Sequence, residues 1–293
     1  VVLATSYQFP HQGGLSTHVD LLARGLRELG HEVRIRAFND LPAWQRAGTR
    51  GPSWLFNRLG RGWGTTWSSA MRARFVAGLL RREAGWLDAL NVEDPMAAVA
   101  AQRAGLPYVY TVHGYATGEH VAARRIRAGT PPERWHLELE KKALAGAAHV
   151  ITVDARLRRH AEQLGAAGRV TVIPNFVDGT WPDRAPAPGE ARRRLGLPAG
   201  RFVILCPRRL TPKNGVAYAV QAMAAVRDGR VPWPGDEPPL LVVVGHGPQW
   251  AELRAAVEGG RLEPYCRLEG GRPHPLMPTY FAAADAVVIP SVH

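Results

Sequence analysis

A short basic segment, PRRLTPKNG at residues 207–215, is the part of the sequence best suited to bind an anion. It follows an apolar run at 202–206 that predicts a buried strand, and it precedes an apolar run that predicts a helix. Arginine binds phosphate through paired hydrogen bonds, lysine adds a compact charge, and a helix N-terminus adds free N–H groups. Arg208, Arg209 and Lys213 therefore predict a phosphate site, and a solvated basic loop is the alternative.

Two glycine loops follow other strand-like runs in the same half of the chain. The sequence GHGP at 245–248 comes after the run at 240–244, and Gly-Gly-Arg at 270–272 comes after the run at 265–268. Glycine lets a backbone approach a ligand closely. Because the carboxyl ends of parallel strands meet at one edge, Gly247 and Arg272 would line the same rim as the basic segment. A phosphate-bearing nucleotide is the predicted occupant.

The first half of the chain has two candidates of the same kind. Gly13 and Gly14 separate the first strand from a helix with one apolar stripe, and His113 ends the run at 107–112. The glycines could admit a polar or anionic ligand, and a plain tight turn is the alternative, since the dinucleotide pattern G-x-G-x-x-G is absent. His113 could bind a substrate hydroxyl or act as a base, and a histidine bonded to loop carbonyls is the alternative.

Strands and helices must alternate to place these loops at strand ends. Period-2 and continuous apolar runs predict strands at 1–5, 33–37, 107–112, 149–153, 170–173, 202–206, 240–244, 265–268 and 286–289, with helical patterns between most of them. Ser16 or Thr17 is expected to cap the first helix. The pattern predicts an α/β protein with two doubly wound, Rossmann-like domains: an N-terminal domain at 1–178, a proline-rich linker at 179–200 and a C-terminal domain at 201–293.

Composition excludes several classes of protein. The chain has 293 residues, 46% of them hydrophobic and 21% charged, so disordered, collagen-like and coiled-coil chains are ruled out. No apolar run approaches the ~18 residues that a membrane span needs, and no signal peptide is visible. Cys206 and Cys266 show no metal-site spacing and are expected to be buried free thiols. A reducing, cytoplasmic location is therefore expected.

One segment concentrates positive charge and tryptophan. Between residues 44 and 86 there are eight arginines, one acid and five of the nine tryptophans, in a chain with net charge +12. Residues Met71, Phe75, Val76, Leu79, Leu80 and Leu87 share one helical face. Either this segment binds the anionic inner face of a membrane, or its apolar face packs on the sheet and its arginines are solvated.

An ordered set of motifs resembles glycosyltransferase family 4. The set comprises Gly-Gly before an apolar helix, TVHG, VITVD, VTVIPNFVD, RRLTPKNG, VVVGHGPQWAELR and YFAAADAVVIPS. The resemblance implies the GT-B fold of two facing Rossmann-like domains. It also implies retaining transfer of a sugar from a nucleoside-diphosphate sugar to a glycan, a lipid-linked sugar or a small molecule. No cofactor and no catalytic metal are expected, because basic residues neutralise the leaving group.

The resemblance also assigns roles to individual residues. Gly14, beside Gly13, would approach the donor, and His113 would contact the donor sugar as the catalytic residue. Arg209 and Lys213 would bind the diphosphate. Gly247 and Arg272 would lie near the nucleotide. Family members usually read Arg-Leu-x-Pro-Glu-Lys-Gly, whereas here the lysine is one position earlier and Asn214 occupies its place, so either residue could reach the phosphate.

The family's E-x7-E motif would begin directly after His293, where the sequence stops. The chain is therefore expected to be incomplete at both ends, with a truncated C-terminal domain, and inactive in transfer as it stands. Two alternatives remain open. A sugar-nucleotide epimerase shares the fold, and the charge of +12 would suit a non-catalytic polyanion-binding protein. A nucleic-acid partner is not expected, because no compact basic helix or aromatic RNA-binding motif is present.

Overall fold

The structure is a computed structural model that describes residues 1–11 and 13–292, and it divides into two compact units, Val1–Val177 and Asp178–His293. Both units are α/β with entirely parallel sheets, as the alternation of strands and helices predicts. The residues expected to form a linker lie within the second unit. They contain a helix whose Ala191 is fully buried.

The first unit is built on six parallel strands in the order β2-β1-β3-β4-β5-β6. The strands are β1 (Val2–Ala4), β2 (Arg34–Arg36), β3 (Leu90–Val92), β4 (Val109–Val112), β5 (His149–Thr152) and β6 (Val170–Val172). Alternate residues of β1 enter different clusters: Val2 and Ala4 pack with β3, whereas Leu3 packs with Val19 of the first helix. The sheet is therefore covered on both faces, which is the usual condition of a parallel sheet.

Seven α-helices belong to the described part of the first unit. They are α1 (Gly14–Glu28), α2 (Ala43–Phe56), α3 (Trp63–Glu83), α4 (Pro95–Ala104), α5 (Ala116–Ala122), α6 (Pro131–Ala145) and α7 (Ala155–Ala161). The expected Ser16 or Thr17 cap of α1 is wrong. The helix begins at Gly14 with no side-chain cap, because the hydroxyl of Ser16 instead accepts a hydrogen bond from the backbone N–H of His11.

Strand β3 shows how a short element can be overlooked, whereas the helix that follows it, α4 (Pro95–Ala104), lies where the sequence predicts a helix. Strand β3, which the sequence reading did not include, has only three residues, Leu90–Val92. Asp94 follows it and caps α4 by accepting a hydrogen bond from the N–H of Ala97, and Pro95 occupies the first turn. An acidic cap followed by proline is a recognisable start of a helix, and it marks the end of β3.

The apolar face predicted for residues 71–87 packs inside the first unit. Val76 and Leu80 of α3 are fully buried in the main core, and Phe75 and Leu79 pack against it. Of the two alternatives for this face, the structure therefore shows packing within the first unit, because the core already covers it. Arg72, which also lies on this face, donates a hydrogen bond to the carbonyl of Ser6.

The second unit has four parallel strands in the order β10-β7-β8-β9. These strands are β7 (Val203–Pro207), β8 (Leu240–Val244), β9 (Cys266–Gly270) and β10 (Ala286–Val287), and the helices are α8 (Pro188–Leu195), α9 (Val216–Arg227), α10 (Trp250–Gly259) and α11 (Met277–Ala283). Val203 and Leu205 pack on one face with α8 and α11, whereas Cys206 packs on the other with α9 and α10. Cys206 and Cys266 are buried free thiols, as expected. Within the described residues, no helix is long and apolar enough to span a bilayer.

Candidate functional site

In the first unit, three neighbouring strands place polar residues at one edge of the sheet. Strands β1, β3 and β4 are adjacent and parallel, so their carboxyl ends meet. Glu93 follows β3, His113 follows β4, and the glycine loop between β1 and α1 leads to His18. Such an edge is where α/β sheets bind ligands.

A carboxylate and two imidazoles meet there. Nε2 of His113 lies 2.7 Å from Oε2 of Glu93, and Nε2 of His18 lies 4.0 Å from the same oxygen. The side chain of Glu93 is 0% exposed and that of His113 is 17% exposed. The rings of His18 and His113 are 4.7 Å apart and meet edge to face. Sequence reasoning identified His113 but not Glu93 or His18.

The protonation of His18 follows from its surroundings. Burial lowers the pKa of His18. The nearby Glu93 carboxylate acts in the opposite direction, and His113 lowers this pKa further.

The side chains of His18, Glu93 and His113 offer ligand atoms within 4.8 Å of one another, which is a donor set that divalent transition metals accept. Two of these atoms, Nε2 of His113 and Oε2 of Glu93, also form a direct imidazole–carboxylate hydrogen bond.

The glycine loop beside this cluster is open on one side. Gly13 has φ of +155°, and a Cβ there would approach the His11 ring. Gly14 is exposed, and a Cβ at this position would meet nothing within 4 Å. Helix α1 starts here without a side-chain cap and without an acidic residue in its first turn. Its first N–H groups are therefore available to a polar ligand.

Asp94 connects the segments that follow β1 and β3 through hydrogen bonds. Its Oδ2 accepts hydrogen bonds from the Thr5 hydroxyl at 2.9 Å and the Ser6 N–H at 2.6 Å, and its Oδ1 accepts one from the Ser6 hydroxyl at 2.7 Å. Arg72 binds the Ser6 carbonyl and has its guanidinium 4.5 Å from the Phe38 ring centroid. Burial lowers the pKa of Arg72.

In the second unit, the basic segment forms a loop at the carboxyl end of β7. Asn214 is buried, and its amide bridges the loop: Oδ1 accepts from Nη2 of Arg208 at 3.0 Å, and Nδ2 donates to the carbonyl of Arg209 at 2.7 Å. Arg208 also donates to the hydroxyl of Ser291. Both ends of the Asn214 amide are thus engaged within the loop.

Arg209 and Lys213 lie closer to the surface of that loop. Arg209 is exposed, and within the described residues its guanidinium makes no hydrogen bond or ion pair. Lys213 is partly exposed in a short 3-10 turn, Pro212–Asn214, just before α9. Arg209 and Lys213 therefore lie in the predicted loop. Asn214 stabilises this loop through its two hydrogen bonds.

The glycine loop after β8 packs directly on this basic loop. A Cβ at Gly245 would overlap the carbonyl of Arg208, and a Cβ at Gly247 would overlap that of Leu210. The N–H of Leu210 donates to the carbonyl of His246 at 3.1 Å, which joins the two loops. Gly247 is therefore required for close packing of backbone against backbone, a reason that the sequence alone did not reveal.

Arg272 lies in the loop after β9 and is paired. Its Nη2 lies 2.6 Å from Oε2 of Glu269, which also accepts from the Tyr280 hydroxyl at 2.9 Å. Burial opposes ionisation of Glu269, but the hydrogen bonds from Tyr280 and Arg272 and the charge of Arg267 lower its pKa overall. The sequence did not identify Glu269. This residue forms an ion pair with the guanidinium of Arg272, which the sequence predicts to lie near a nucleotide.

Comparison with known proteins gives a consistent pattern. Residues 12–180 match the family described as Glycosyltransferase Family 4, and residues 189–293 match the one described as Glycosyl transferases group 1. The 2-deoxystreptamine glucosyltransferase of Streptomyces kanamyceticus is 36% identical over 207 residues, which are 67% of this chain and 49% of that protein.

Two further proteins are similar over most of the chain. The D-inositol 3-phosphate glycosyltransferase of Thermomonospora curvata is 29% identical over 74% of this chain and 54% of its own length. This chain thus spans about half the length of these two curated relatives. The crystal structure of Anabaena HepE in complex with UDP and glucose has a TM-score of 0.66 and 19% identity, covering 100% of this chain and 74% of that one. This likeness confirms the GT-B type of fold.

Proposed function

Since the chain belongs to glycosyltransferase family 4, we propose that it transfers a sugar from a nucleoside-diphosphate sugar to a hydroxyl of an acceptor. The observation that carries the proposal is the basic loop between β7 and α9. It combines Arg209, exposed and without a partner among the described residues, with Lys213 and the start of a helix. These are groups that bind a diphosphate.

In this proposal, charge on the leaving diphosphate is neutralised by protein groups. Negative charge grows on the leaving oxygen as the bond to the sugar breaks, so fixed cations and N–H dipoles stabilise the transition state more than the ground state. Asn214 holds Arg208 and the Arg209 carbonyl in place, so the loop is organised before the donor binds. A preorganised loop pays little reorganisation cost during the reaction.

The family resemblance also assigns roles to two residues of the first unit. In this proposal His113 binds the donor sugar, and the backbone at Gly14, where a Cβ would meet nothing within 4 Å, admits the donor or the acceptor. We expect transfer with retention of configuration, on the strength of the family resemblance. The anomeric proton coupling of the product, measured by NMR, would distinguish retention from inversion.

We further propose that the acceptor is a small polyhydroxylated ring. The names of the two curated relatives indicate 2-deoxystreptamine and D-inositol 3-phosphate as their acceptors, and both compounds are cyclohexane polyols. A hydroxyl-rich acceptor suits an edge that offers imidazole and backbone N–H groups. A panel of cyclitols and aminocyclitols, assayed with radiolabelled nucleoside-diphosphate sugars, would test this acceptor class.

Calorimetric titration tests the donor site directly. UDP and UDP-glucose are the first probes, followed by the other nucleoside diphosphates. Arg209→Ala should weaken binding roughly 10- to 100-fold, because a charged hydrogen bond contributes ~1.5–3 kcal/mol. The matched control is Arg193→Ala, an exposed arginine of α8 that pairs with Glu190 on its own helix. Equal affinity of Arg209→Ala and the control for every nucleotide bound would contradict the proposed donor site.

A second proposal concerns location, and it rests on exposed side chains around the end of α2. Four large apolar residues between positions 54 and 63 are exposed: Trp54, Leu55, Leu59 and Trp63. Arg50, Arg58 and Arg61 are exposed among them, and the Arg58 guanidinium lies 4.4 Å from the Trp54 ring centroid. We call residues 50–63 the tryptophan patch. We propose that this patch binds an anionic membrane surface reversibly, because tryptophan favours the headgroup region and arginine the anionic lipid.

A further inference from the structure

Glu93 is the most deeply buried member of the cluster at the edge of the first sheet. Its side chain is 0% exposed, and its backbone N–H donates to the carbonyl of Ala4 at 2.9 Å. The next residue, Asp94, is fixed by four hydrogen bonds from Thr5, Ser6 and Ala97. The backbone that carries the Glu93 carboxylate is therefore held firmly between β1 and β3.

The contact with His113 has a defined direction. A carboxylate only accepts hydrogen bonds, so the proton of the 2.7 Å contact belongs to Nε2 of His113. In the neutral ring this leaves Nδ1 as an acceptor. Among the described residues, Nε2 makes the only hydrogen bond of this ring, so Nδ1 is not engaged by the protein.

His18 restricts the same ring from another side. It meets the His113 ring edge to face at 4.7 Å, and its Nε2 is 4.0 Å from the Glu93 oxygen that His113 binds. The second carboxylate oxygen of Glu93, Oε1, is buried and has no hydrogen-bond partner within the described chain. Leaving such an acceptor unpaired costs stability, which is a sign that the carboxylate is kept for a purpose other than folding.

We propose that Glu93 is a positioning residue for His113. It holds Nε2–H, so that Nδ1 is presented as a hydrogen-bond acceptor to a hydroxyl of the substrate. His18 limits rotation of the ring. The role at the substrate rests on the proposed glycosyltransferase function, whereas the imidazole–carboxylate bond itself does not.

The hydrogen bond can be observed without any activity. Proton spectra of protein labelled with ¹⁵N-histidine should contain a strongly downfield, slowly exchanging imidazole proton on Nε2 of His113, assigned by its loss in His113→Asn. Glu93→Gln should remove the downfield shift, because an uncharged amide is a weaker acceptor than a carboxylate. Glu138→Gln, at an exposed glutamate of α6, is the control. A wild-type spectrum without this proton would overturn the proposal whatever the enzyme does.

Kinetics, measured on a form of the protein that is active in transfer, test the positioning role. Glu93→Gln should lower kcat roughly 10- to 100-fold, with little change in the KM of the donor, since one charged hydrogen bond is at stake. Glu93→Asp should recover part of the loss if its shorter side chain still reaches the ring. The combination of Glu93→Gln with His113→Asn should be no slower than His113→Asn alone, because Glu93 acts through His113. Additive losses would show a general structural effect and overturn the proposal.

A metal centre is the competing outcome. Zn²⁺ added to protein that was first dialysed against EDTA should leave the His18 and His113 ring signals unchanged. Stoichiometric shifts of both rings, lost in Glu93→Gln, would assign the cluster to a metal and overturn the positioning role. If the ring proton is present but no nucleotide binds and no transfer occurs, the proposed function fails and the hydrogen bond stands.

Discussion

Asp94 illustrates at the residue scale how one buried side chain organises the edge of a sheet. It accepts hydrogen bonds from Thr5 and from the N–H and hydroxyl of Ser6, and it caps α4 through the N–H of Ala97. It thus connects β1, β3 and α4 next to Glu93. A residue of this kind affects function through geometry, because it lies beside the candidate site without belonging to it.

Asp94→Ala should lower the free energy of unfolding of the first unit by ~3 kcal/mol or more. The substitution removes a helix cap and leaves buried donors of Thr5 and Ser6 without an acceptor. Urea denaturation followed by circular dichroism measures the change. Asp20→Ala, at an exposed position of α1, is the control and should stay within ~0.5 kcal/mol. A loss below 1 kcal/mol for Asp94→Ala would contradict the described network.

At the scale of elements, the two loops after β7 and β8 behave as one structure. Gly245 and Gly247 allow the second loop to lie against the carbonyl groups of Arg208 and Leu210, and backbone hydrogen bonds link Leu210 to His246 and Gln249. The position of the basic loop therefore depends on a glycine loop that follows it by some 35 residues in sequence. A change in either loop should alter nucleotide binding.

Gly247→Ala should therefore weaken nucleotide binding and destabilise the second unit, since the new methyl group would overlap the carbonyl oxygen of Leu210. We expect a loss of ~1–3 kcal/mol in stability, the usual cost of overpacking. Thermal unfolding with and without UDP measures both effects. Gly259→Ala in α10 has open space around its Cβ and should be neutral or slightly stabilising. Equal behaviour of the two variants would contradict the close packing of Gly247 on Leu210.

The stability of the first unit is expected to decrease in acid, because α5 and α6 each carry a buried histidine. Burial lowers the pKa of His120 and of His136 to about 4, and their rings are 4.7 Å apart. In the unfolded chain the histidine pKa is ~6.5. Below that pH the unfolded chain binds protons that the folded unit does not, so the free energy of unfolding falls as the pH decreases from ~6.5 to ~4. Above ~6.5 both histidines are neutral in the folded and unfolded states, and this loss is absent.

The slope can reach ~1.4 kcal/mol per pH unit for each of the two histidines. Urea midpoints measured at intervals between pH 7.5 and pH 4 would give this slope. His136→Asn should flatten the pH dependence even if it lowers stability at neutral pH. His31→Asn, at an exposed position beyond α1, should leave the slope as it is in the wild type. A wild-type stability that is constant over this range would exclude buried neutral histidines.

At the scale of the whole molecule, charge and exposed apolar surface determine how the protein meets its surroundings. The net charge is +12, and the tryptophan patch combines arginines with exposed tryptophan and leucine. Long-range attraction to an anionic surface falls with ionic strength, whereas insertion of tryptophan does not. The two contributions can therefore be separated by salt.

The protein should co-sediment with anionic vesicles and much less with neutral ones, and high salt should release most of it. Arg50→Glu combined with Arg58→Glu should weaken this binding at least tenfold, since each arginine contributes ~1 kcal/mol near an anionic leaflet. Trp54→Ala should weaken the part that survives high salt. Arg134→Glu, an exposed arginine of α6, is the control. Recovery in the supernatant with both kinds of vesicle would remove the membrane proposal.

The sequence by itself determined the fold class, the parallel sheets, most strands and the loops that carry His113, Arg209 and Gly247. These features are local, because strand and helix periodicity and the glycines and cations at strand ends can be read within short windows. The same local reading missed β3, since three residues are too few to show a period. It also left open whether the apolar face of α3 was covered, which depends on packing partners elsewhere in the chain.

Only the tertiary structure decided the partners of the site residues. Glu93 reaches His113 because β3 lies beside β4, and His18 joins them because α1 follows β1, which lies on the other side of β3. The succession of β1 and α1 can be read locally, but the order of the strands in the sheet has no local signal. Likewise, only the structure shows that Asn214 bridges Arg208 and the backbone of Arg209, and that Arg272 pairs with Glu269. A hydrogen bond forms only when its two atoms lie about 3 Å apart. The order of the strands in the sheet decides which side chains come that close.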